Sequence, residues 1–404
     1  LRRKLFRAVP PDDRQGGVEH DSRTGDIPLV DLKAQYRTIQ ADVDEAIKRV
    51  VDRQSFVDGV ECAAFEREFA EFCGSSCAVA VSNGTAALEL TLEALGVDEG
   101  DEVVTVSHTF IATVAAIVRV GATPVFVDVS PDNWTMSPQA VAEAVTPRTR
   151  AIVPVHLYGH PADVPALAAA APGVPIVEDA AQAHGGRYHG TPVGTAAAAA
   201  CYSFYPGKNL GAYGDAGAIV TDDEMLAQRL RSLRDHGRSG GKYVHRLIGT
   251  NARMAELQAA VLRVKLPHLR TWTNDRRALA QRYEEELSGS FELQVESEWA
   301  MHVRHLFVLL HPERDQLLTA LNRRGIGAAL HYPVPVHQQE AMRHHDWRAA
   351  GTLAESERVA SQCLSLPLYS ELPASAVDQI ARALREATDA AAADLQPASA
   401  AERT

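Results

Sequence analysis

Nowhere in the 404 residues does an apolar run approach the ~20 that a helical membrane span requires, so no such span is expected. Basic charge is also short. Forty Lys plus Arg face fifty-two Asp plus Glu, a formal charge of −12, which argues against a nucleic-acid partner, whose surfaces are usually basic. Only five cysteines occur, and Cys73 and Cys77 are the only close pair. No second pair and no suitably spaced histidine follows them, so neither a disulfide framework nor a metal site is expected. They read as structural thiols of a reduced, cytoplasmic protein. No repeat of 20–50 residues is evident. No Gly-x-Gly-x-x-Gly follows the early strands, which disfavours a nicotinamide-dependent enzyme. What the chain does have is 46% hydrophobic and 23% charged residues, enough apolar surface to offset chain entropy over most of its length.

Residues 1–26 are rich in Arg and Asp and lack the apolar core of a secretory signal, so they read as a disordered leader. Residues 391–404 read as a disordered tail. Between them, strands and helices alternate. Strands are expected at Cys77–Val81, Glu102–Val106, Pro124–Val129, Thr149–Val155, Ile176–Asp179, Cys201–Phe204 and Ala218–Val220. Helices are expected at Ala34–Val51, Cys62–Phe72, from the Ser82–Thr85 turn to Leu95, and at Thr109–Val120, Pro138–Val145 and Pro165–Ala171. Alternation of this kind gives an α/β fold with a mostly parallel sheet covered on both faces. Ligands of such sheets bind beyond the carboxyl ends of the strands. After about Thr271 the pattern changes to a long charged helix at Asn274–Leu287, a strand at His305–Leu310 and helices at Glu313–Arg324 and Ala374–Ala387. The expected organisation is a large domain over 27–273 and a smaller α/β domain over 274–390.

Four polar clusters fall at strand ends. Ser82-Asn83-Gly84-Thr85-Ala86 opens a helix, where free N–H groups and a glycine suit a phosphate. A simple capped helix start explains the same residues. Glu178-Asp179-Ala180-Ala181-Gln182 places a carboxylate and an amide where both can reach a ligand such as a protonated ring nitrogen; two polar loop residues are the alternative. Ser203 through Asn209, followed by Gly211, Gly214 and Gly217, presents Lys208 on a glycine-rich turn suited to Schiff-base chemistry, with Ser203 able to bind a phosphate oxygen. A surface lysine on a flexible loop is the other reading. A Walker loop is disfavoured, because Asn209 stands where Ser or Thr is needed. His108-Thr109-Phe110 offers an aromatic ring to a flat heterocycle, or a core residue.

Together these pieces are the parts that pyridoxal 5′-phosphate needs. The stretches SNGTAALEL (82–90), SHTFIAT (107–113), VHLYGHPAD (155–163), VEDAAQAHG (177–185), SFYPGKNLGAYGDAGAIVT (203–221), GTNARMAELQAAVLRVKL (249–266) and HYPVPVH (331–337) resemble the DegT/DnrJ/EryC1/StrS sugar aminotransferases, a family of fold-type I pyridoxal-phosphate enzymes. The resemblance runs over about 28–390. It implies a seven-stranded, mostly parallel sheet in the large domain. It implies that Lys208 and Asp179 are catalytic, the lysine forming the cofactor imine and the aspartate pairing with the pyridinium nitrogen. Gln182 then lies beside the ring hydroxyl, Phe110 stacks on the ring, and Gly84, Thr85, Ala86 and Ser203 serve the phosphate. Asn251 resembles a residue that a partner subunit supplies, which implies a homodimer with shared active sites.

The implied activity is transfer of an amino group from L-glutamate to a nucleotide-activated deoxysugar in antibiotic sugar biosynthesis. In motifs the chain is most similar to enzymes that aminate C3 of dTDP-3-keto-6-deoxyhexoses. Relatives that dehydrate sugars carry His at the lysine position, so Lys208 favours transamination. Amination at C4, or of a keto-cyclitol, remains an alternative, as does a non-catalytic cofactor-binding regulator. His184, His331, Tyr332, His337 and Arg253 are candidates for substrate contact, Arg253 lying in a basic stretch with Arg234, Arg238, Lys242 and Arg246. Satisfied surface histidines and a solvated loop explain these residues equally well.

Overall fold

Seven strands form the central sheet: β1 (Cys77–Val81), β2 (Glu102–Val106), β3 (Thr123–Val127), β4 (Thr149–Val153), β5 (Val177–Asp179), β8 (Ala199–Ser203) and β9 (Gly217–Thr221). They belong to a computed structural model that describes residues 26–394. The expected leader and tail lie outside the described residues, except for Asp26 and the last turn of the C-terminal helix, which runs to Asp394 rather than ending at Ala387. The order is β3-β2-β4 on one side and β5-β8-β9-β1 on the other. Parallel bridges at Ile152–Ile176 and Val155–Asp179 join the halves. Only β9 runs against its neighbours, β1 and β8. The sheet is therefore mostly parallel, as the alternation of elements implied.

Side-chain alternation divides the sheet between two cores. Ala78 and Ala80 of β1 join Phe65 and Phe69 of α2 (Val60–Cys73), with Val141, Leu167 and Leu262 from α5 (Pro138–Ala144), α6 (Val164–Ala170) and α8 (Glu256–Lys265). Cys77, Val79 and Val81 face the other way, onto Leu88, Ile117 and Leu230 of α3 (Gly84–Ala94), α4 (Ile111–Arg119) and α7 (Glu224–Leu233). A period of two thus serves two helical layers at once, which is why β1 and β2 are buried at every residue. Helix α1 (Leu32–Arg53) is capped by Asp31, whose carboxylate accepts from the Ala34 N–H at 2.9 Å.

A second, antiparallel sheet of β10 (Glu292–Leu293), β12 (Phe307–Leu310) and β14 (Cys363–Leu366) lies in the C-terminal third. Its core holds Tyr283, Leu321 and Ile380 of α9 (Leu269–Leu287), α10 (Arg314–Arg323) and α12 (Ala374–Asp394), together with Ile27 from the start of the chain. Helix α9 begins five residues before the expected Asn274, so position 273 falls inside it. The hairpin β6 (Arg187–Tyr188) and β7 (Thr191–Pro192), joined by β11 (Ala300–Met301), the edge strand β13 (Arg348–Ala349) and helix α11 (Ala354–Gln362) complete the set. Helices α7, α8 and α11 are not among those expected from the pattern of residues. Among the described residues no helix is long and apolar enough to cross a membrane.

Candidate active site

A cavity of about 1050 Å³ opens at the carboxyl ends of β1, β2, β5 and β8. Gly84, Thr85, Ala86, Phe110, Asp179, Gln182, Ser203 and Lys208 all line it, with His331 and Tyr332 from the C-terminal part. The four clusters read separately in the sequence therefore share one space, as ligand sites of open α/β sheets do.

Each is held there by its own local chemistry. Asn83 caps α3 and accepts from the Ala86 N–H at 2.8 Å, so the capped-helix reading is correct and that one donor is engaged. The helix start still faces the cavity, and its unpaired dipole end favours an anion. Gly84 is demanded by close approach: a Cβ there would sit 2.7 Å from the Ser203 Cβ. Gly217 meets the same turn, since a Cβ on it would lie 2.5 Å from the Asn83 carbonyl carbon. Phe204 wedges edge-on between Phe65 and Phe69, with ring centroids 5.3 and 5.2 Å away, and anchors the loop that carries the lysine. The next residue, Asn209, donates to the Val303 carbonyl at 3.0 Å and pairs with His305 Nδ1 at 3.1 Å. Lys208 thus sits between two fixed neighbours rather than on a flexible surface loop.

Asp179 closes β5 and is buried. Burial pushes its carboxyl above the usual range; the Thr113 hydroxyl (2.7 Å), the Ala181 N–H (3.2 Å) and the charge of Lys208 oppose that push. Lys208 is half-buried, and its ammonium is pulled down to about 8 by desolvation, with Asp179 acting the other way. Glu178 points to the opposite face, where it accepts from His156 Nε2 at 2.7 Å and from the Gly194 N–H at 3.0 Å. Because His156 Nδ1 accepts from the Ala162 N–H at 2.8 Å, its proton lies on Nε2, towards Glu178. One carboxylate therefore serves the cavity and its neighbour serves the fold.

Gln182 bridges two parts of the chain. Its Oε1 accepts from the Tyr158 N–H at 2.6 Å, and its Nε2 donates to the Tyr332 hydroxyl at 3.2 Å. Phe110 is 52% exposed, so its ring is open to a ligand and is not the core residue of the alternative reading. Its centroid lies 5.4 Å from that of Tyr332. His331 pairs with Ser365 Oγ at 2.8 Å and is pushed down to about 4 by burial. Such an imidazole is neutral and can accept or donate a hydrogen bond, but carries no charge.

Four expected residues stand elsewhere. His184 is fully buried beside the rings of Tyr202 and Phe204, with centroids 5.4 and 5.5 Å away, and does not line the cavity. His337 contacts Ser107 Oγ at 2.5 Å and Glu357 at 3.1 Å. Arg253 pairs with Asp235 at 2.7 Å and with the Asn251 amide oxygen at 3.0 Å. Asn251 itself lies off the cavity wall of its own chain. The sequence reading missed His305 as a lining residue, taking it as the first residue of a strand that begins instead at Phe307. It also missed Thr113, whose pairing with Asp179 crosses from α4 to β5 and leaves no local trace in sequence.

The residue types fit pyridoxal 5′-phosphate. A buried carboxylate, an amine with depressed basicity, a helix N-terminus left free of a side chain at Gly84 and an open aromatic ring share one cavity.

Comparison with known proteins points the same way. The sequence profile of the DegT/DnrJ/EryC1/StrS aminotransferase family matches residues 37–385. The chain is 48% identical over 364 residues to the erythromycin biosynthesis sensory transduction protein EryC1 of Saccharopolyspora erythraea, covering 89% of this chain and 99% of that protein. It is 47% identical over 369 residues to the dTDP-3-amino-3,4,6-trideoxy-alpha-D-glucose transaminase of Streptomyces venezuelae, covering 90% and 97%. In structure it resembles S. venezuelae DesV, crystallised with a ketimine intermediate, with a TM-score of 0.86 and 47% identity over 89% of this chain and 98% of that one.

Proposed function

The chain belongs to the DegT/DnrJ/EryC1/StrS aminotransferase family, and on that premise we propose that it moves an amino group from L-glutamate to the C3 keto group of a dTDP-linked deoxysugar. It is a pyridoxal-phosphate-dependent transaminase. The observation that carries the reading is the placement of Asp179 and Lys208 on the wall of one cavity at the end of a mostly parallel sheet. Against the sensory-transduction name of one relative stands the site itself, where a lysine and a buried carboxylate line one cavity.

When bound, pyridoxal phosphate supplies an electron sink that acidifies the C–H bond beside the transferred nitrogen. The chain's own residues do the rest. With the cofactor bound, Asp179 would hold a proton on the ring nitrogen, Phe110 would cover the ring, and the start of α3 with Thr85 and Ser203 would hold the phosphate. Lys208 would be the amine that takes up a proton at Nζ from the amino donor and gives one back, and would act in the opposite sense for the sugar. A base whose pKa lies near 8 is placed to work in both directions at neutral pH.

We further assign the functional unit as a homodimer in the cytoplasm. The exposed apolar side chains Phe56, Val57, Tyr205 and Ile248 support a second copy as the covering partner, and Asn251 is then available to the neighbouring cavity. All five cysteines are buried free thiols, which suits a reducing compartment. Incubation with L-glutamate and a panel of dTDP-keto sugars and keto-cyclitols, with mass and NMR identification of products, tests the reading. A 3-amino sugar is the expected product; a 4-amino sugar or an amino-cyclitol would reassign the substrate.

A further inference from the structure

Asp179 does not stand alone. Thr113, in the first turn of α4, donates its hydroxyl proton to Asp179 Oδ2 at 2.7 Å. The Thr113 oxygen lies 2.8 Å from the Thr109 hydroxyl. Since the Thr113 proton is committed to the carboxylate, Thr109 is the donor of that second bond. A two-hydroxyl relay therefore runs from the segment after β2, through the first turn of α4, to the end of β5, and every member is buried.

Threonine in a helix ordinarily bonds back to the carbonyl one turn earlier. Thr113 instead spends its only proton on a group from another element. Hydrogen bonds to a charged acceptor are about twice as strong as neutral ones, and they favour the charged form. The first turn of α4 also carries the positive end of the helix dipole. Both act against the desolvation that pushes the Asp179 carboxyl upward. The groups near Asp179 on the surrounding elements are Lys208, His156, Tyr332 and Cys201. Lys208 and His156 both act to lower the carboxyl, but the first is reserved for the reaction and the second is bonded to Glu178 on the other face. The fixed support of the carboxylate must come from the hydroxyl relay and the Ala181 N–H.

We propose that Thr113, oriented by Thr109, is a positioning residue that keeps Asp179 ionised and aimed at the cofactor ring. The inference rests on the assignment of Asp179 to the ring nitrogen, and the test separates the two. Purified wild-type, Thr113→Val, Thr113→Ala, Thr113→Ser and Asp179→Asn holoenzymes are diluted and desalted between pH 5 and 9. Retained cofactor is read by visible absorbance, and folding by circular dichroism.

In Thr113→Val and Thr113→Ala, retention weakens roughly tenfold to a hundredfold, as expected for loss of a bond to a charged group. The acid limb of retention moves to higher pH, because a carboxylate without its donor protonates sooner as pH falls. Thr113→Ser restores both values, which loss of a methyl packing contact alone would not allow. Asp179→Asn weakens retention more than either. If folded Thr113→Val or Thr113→Ala keeps the wild-type retention and acid limb while Asp179→Asn loses them, the inference is overturned and the role of Asp179 stands. If Asp179→Asn retains cofactor as well as wild type, the assignment of Asp179 itself fails, and the inference with it.

Discussion

The cavity floor and the basic stretch from Arg234 to Arg253 both carry charge, yet the structure uses the charge in opposite ways. On the floor, Asp179 and Lys208 face open space, and burial shifts each towards its neutral form. In the basic stretch three arginines are already held in ion pairs, although the Nε atoms of Arg238 and Arg253 are buried with no partner among the described residues. Arg234 pairs with Glu66 and the Ala80 carbonyl, and Arg238 and Arg253 share Asp235. Charge held in reserve marks a reaction centre; charge neutralised within the chain marks a scaffold. Alteration of the floor should therefore strike chemistry, and alteration of the paired groups should strike stability.

The largest effect belongs to the floor. Lys208→Ala should abolish the visible imine absorbance and lower turnover at least about a thousandfold, the scale of a lost acid–base group. Absorption spectra and product formation from L-glutamate check both. Turnover within tenfold of wild type would erase the contrast between the two regions.

Next comes Glu178, adjacent to Asp179 in sequence but opposite in function. Glu178→Ala strands the His156 Nε2–H and the Gly194 N–H in a dry interior. Stability should fall by about 3 kcal/mol, read from the denaturant midpoint. Cofactor absorbance in the folded protein should persist, which would separate the two neighbouring carboxylates by role.

The pH dependence sharpens the floor further. Lys208 is lowered from its ordinary value to about 8, so its neutral fraction rises about tenfold per pH unit below that value and levels off above it. Capture of pyridoxal 5′-phosphate by cofactor-free protein should follow that curve in stopped-flow absorbance. Asp179 raises the lysine pKa, so Asp179→Asn should move the limb to lower pH.

How much of this was legible beforehand follows from the kind of signal each residue carries. Gly84, Asp179 and Lys208 sit in short motifs bound to strand ends, and strands such as Cys77–Val81 and Glu102–Val106 are read residue for residue, because a doubly covered strand is a continuous apolar run. Thr113 and His305 were invisible, because their partners lie 66 and 96 residues away and no periodicity records that distance. His184 misled for a related reason. Its nearness to Gln182 along the chain suggested a shared ligand, but the turn between them sends it behind the wall, against Tyr202 and Phe204. Length does not explain the miss of α11, since α5 and α6, of seven residues each, were legible and α11 has nine.

The smallest effect is expected in the basic stretch. Arg253 gives one nitrogen to Asp235 at 2.7 Å and one to the Asn251 amide oxygen at 3.0 Å. Its side chain is 20% exposed and that of Asp235 13%, and Arg253→Ala leaves Asp235 with Arg238, itself 36% exposed, 3.0 Å away. A partly exposed pair backed by a second arginine is worth about 1 kcal/mol or less. The expected outcome is a small drop in the denaturant midpoint with KM for the nucleotide sugar within about threefold of wild type. A tenfold rise in KM with unchanged kcat would mean that this arginine leaves Asp235 to meet a diphosphate, placing the basic stretch beside the floor as part of the working site.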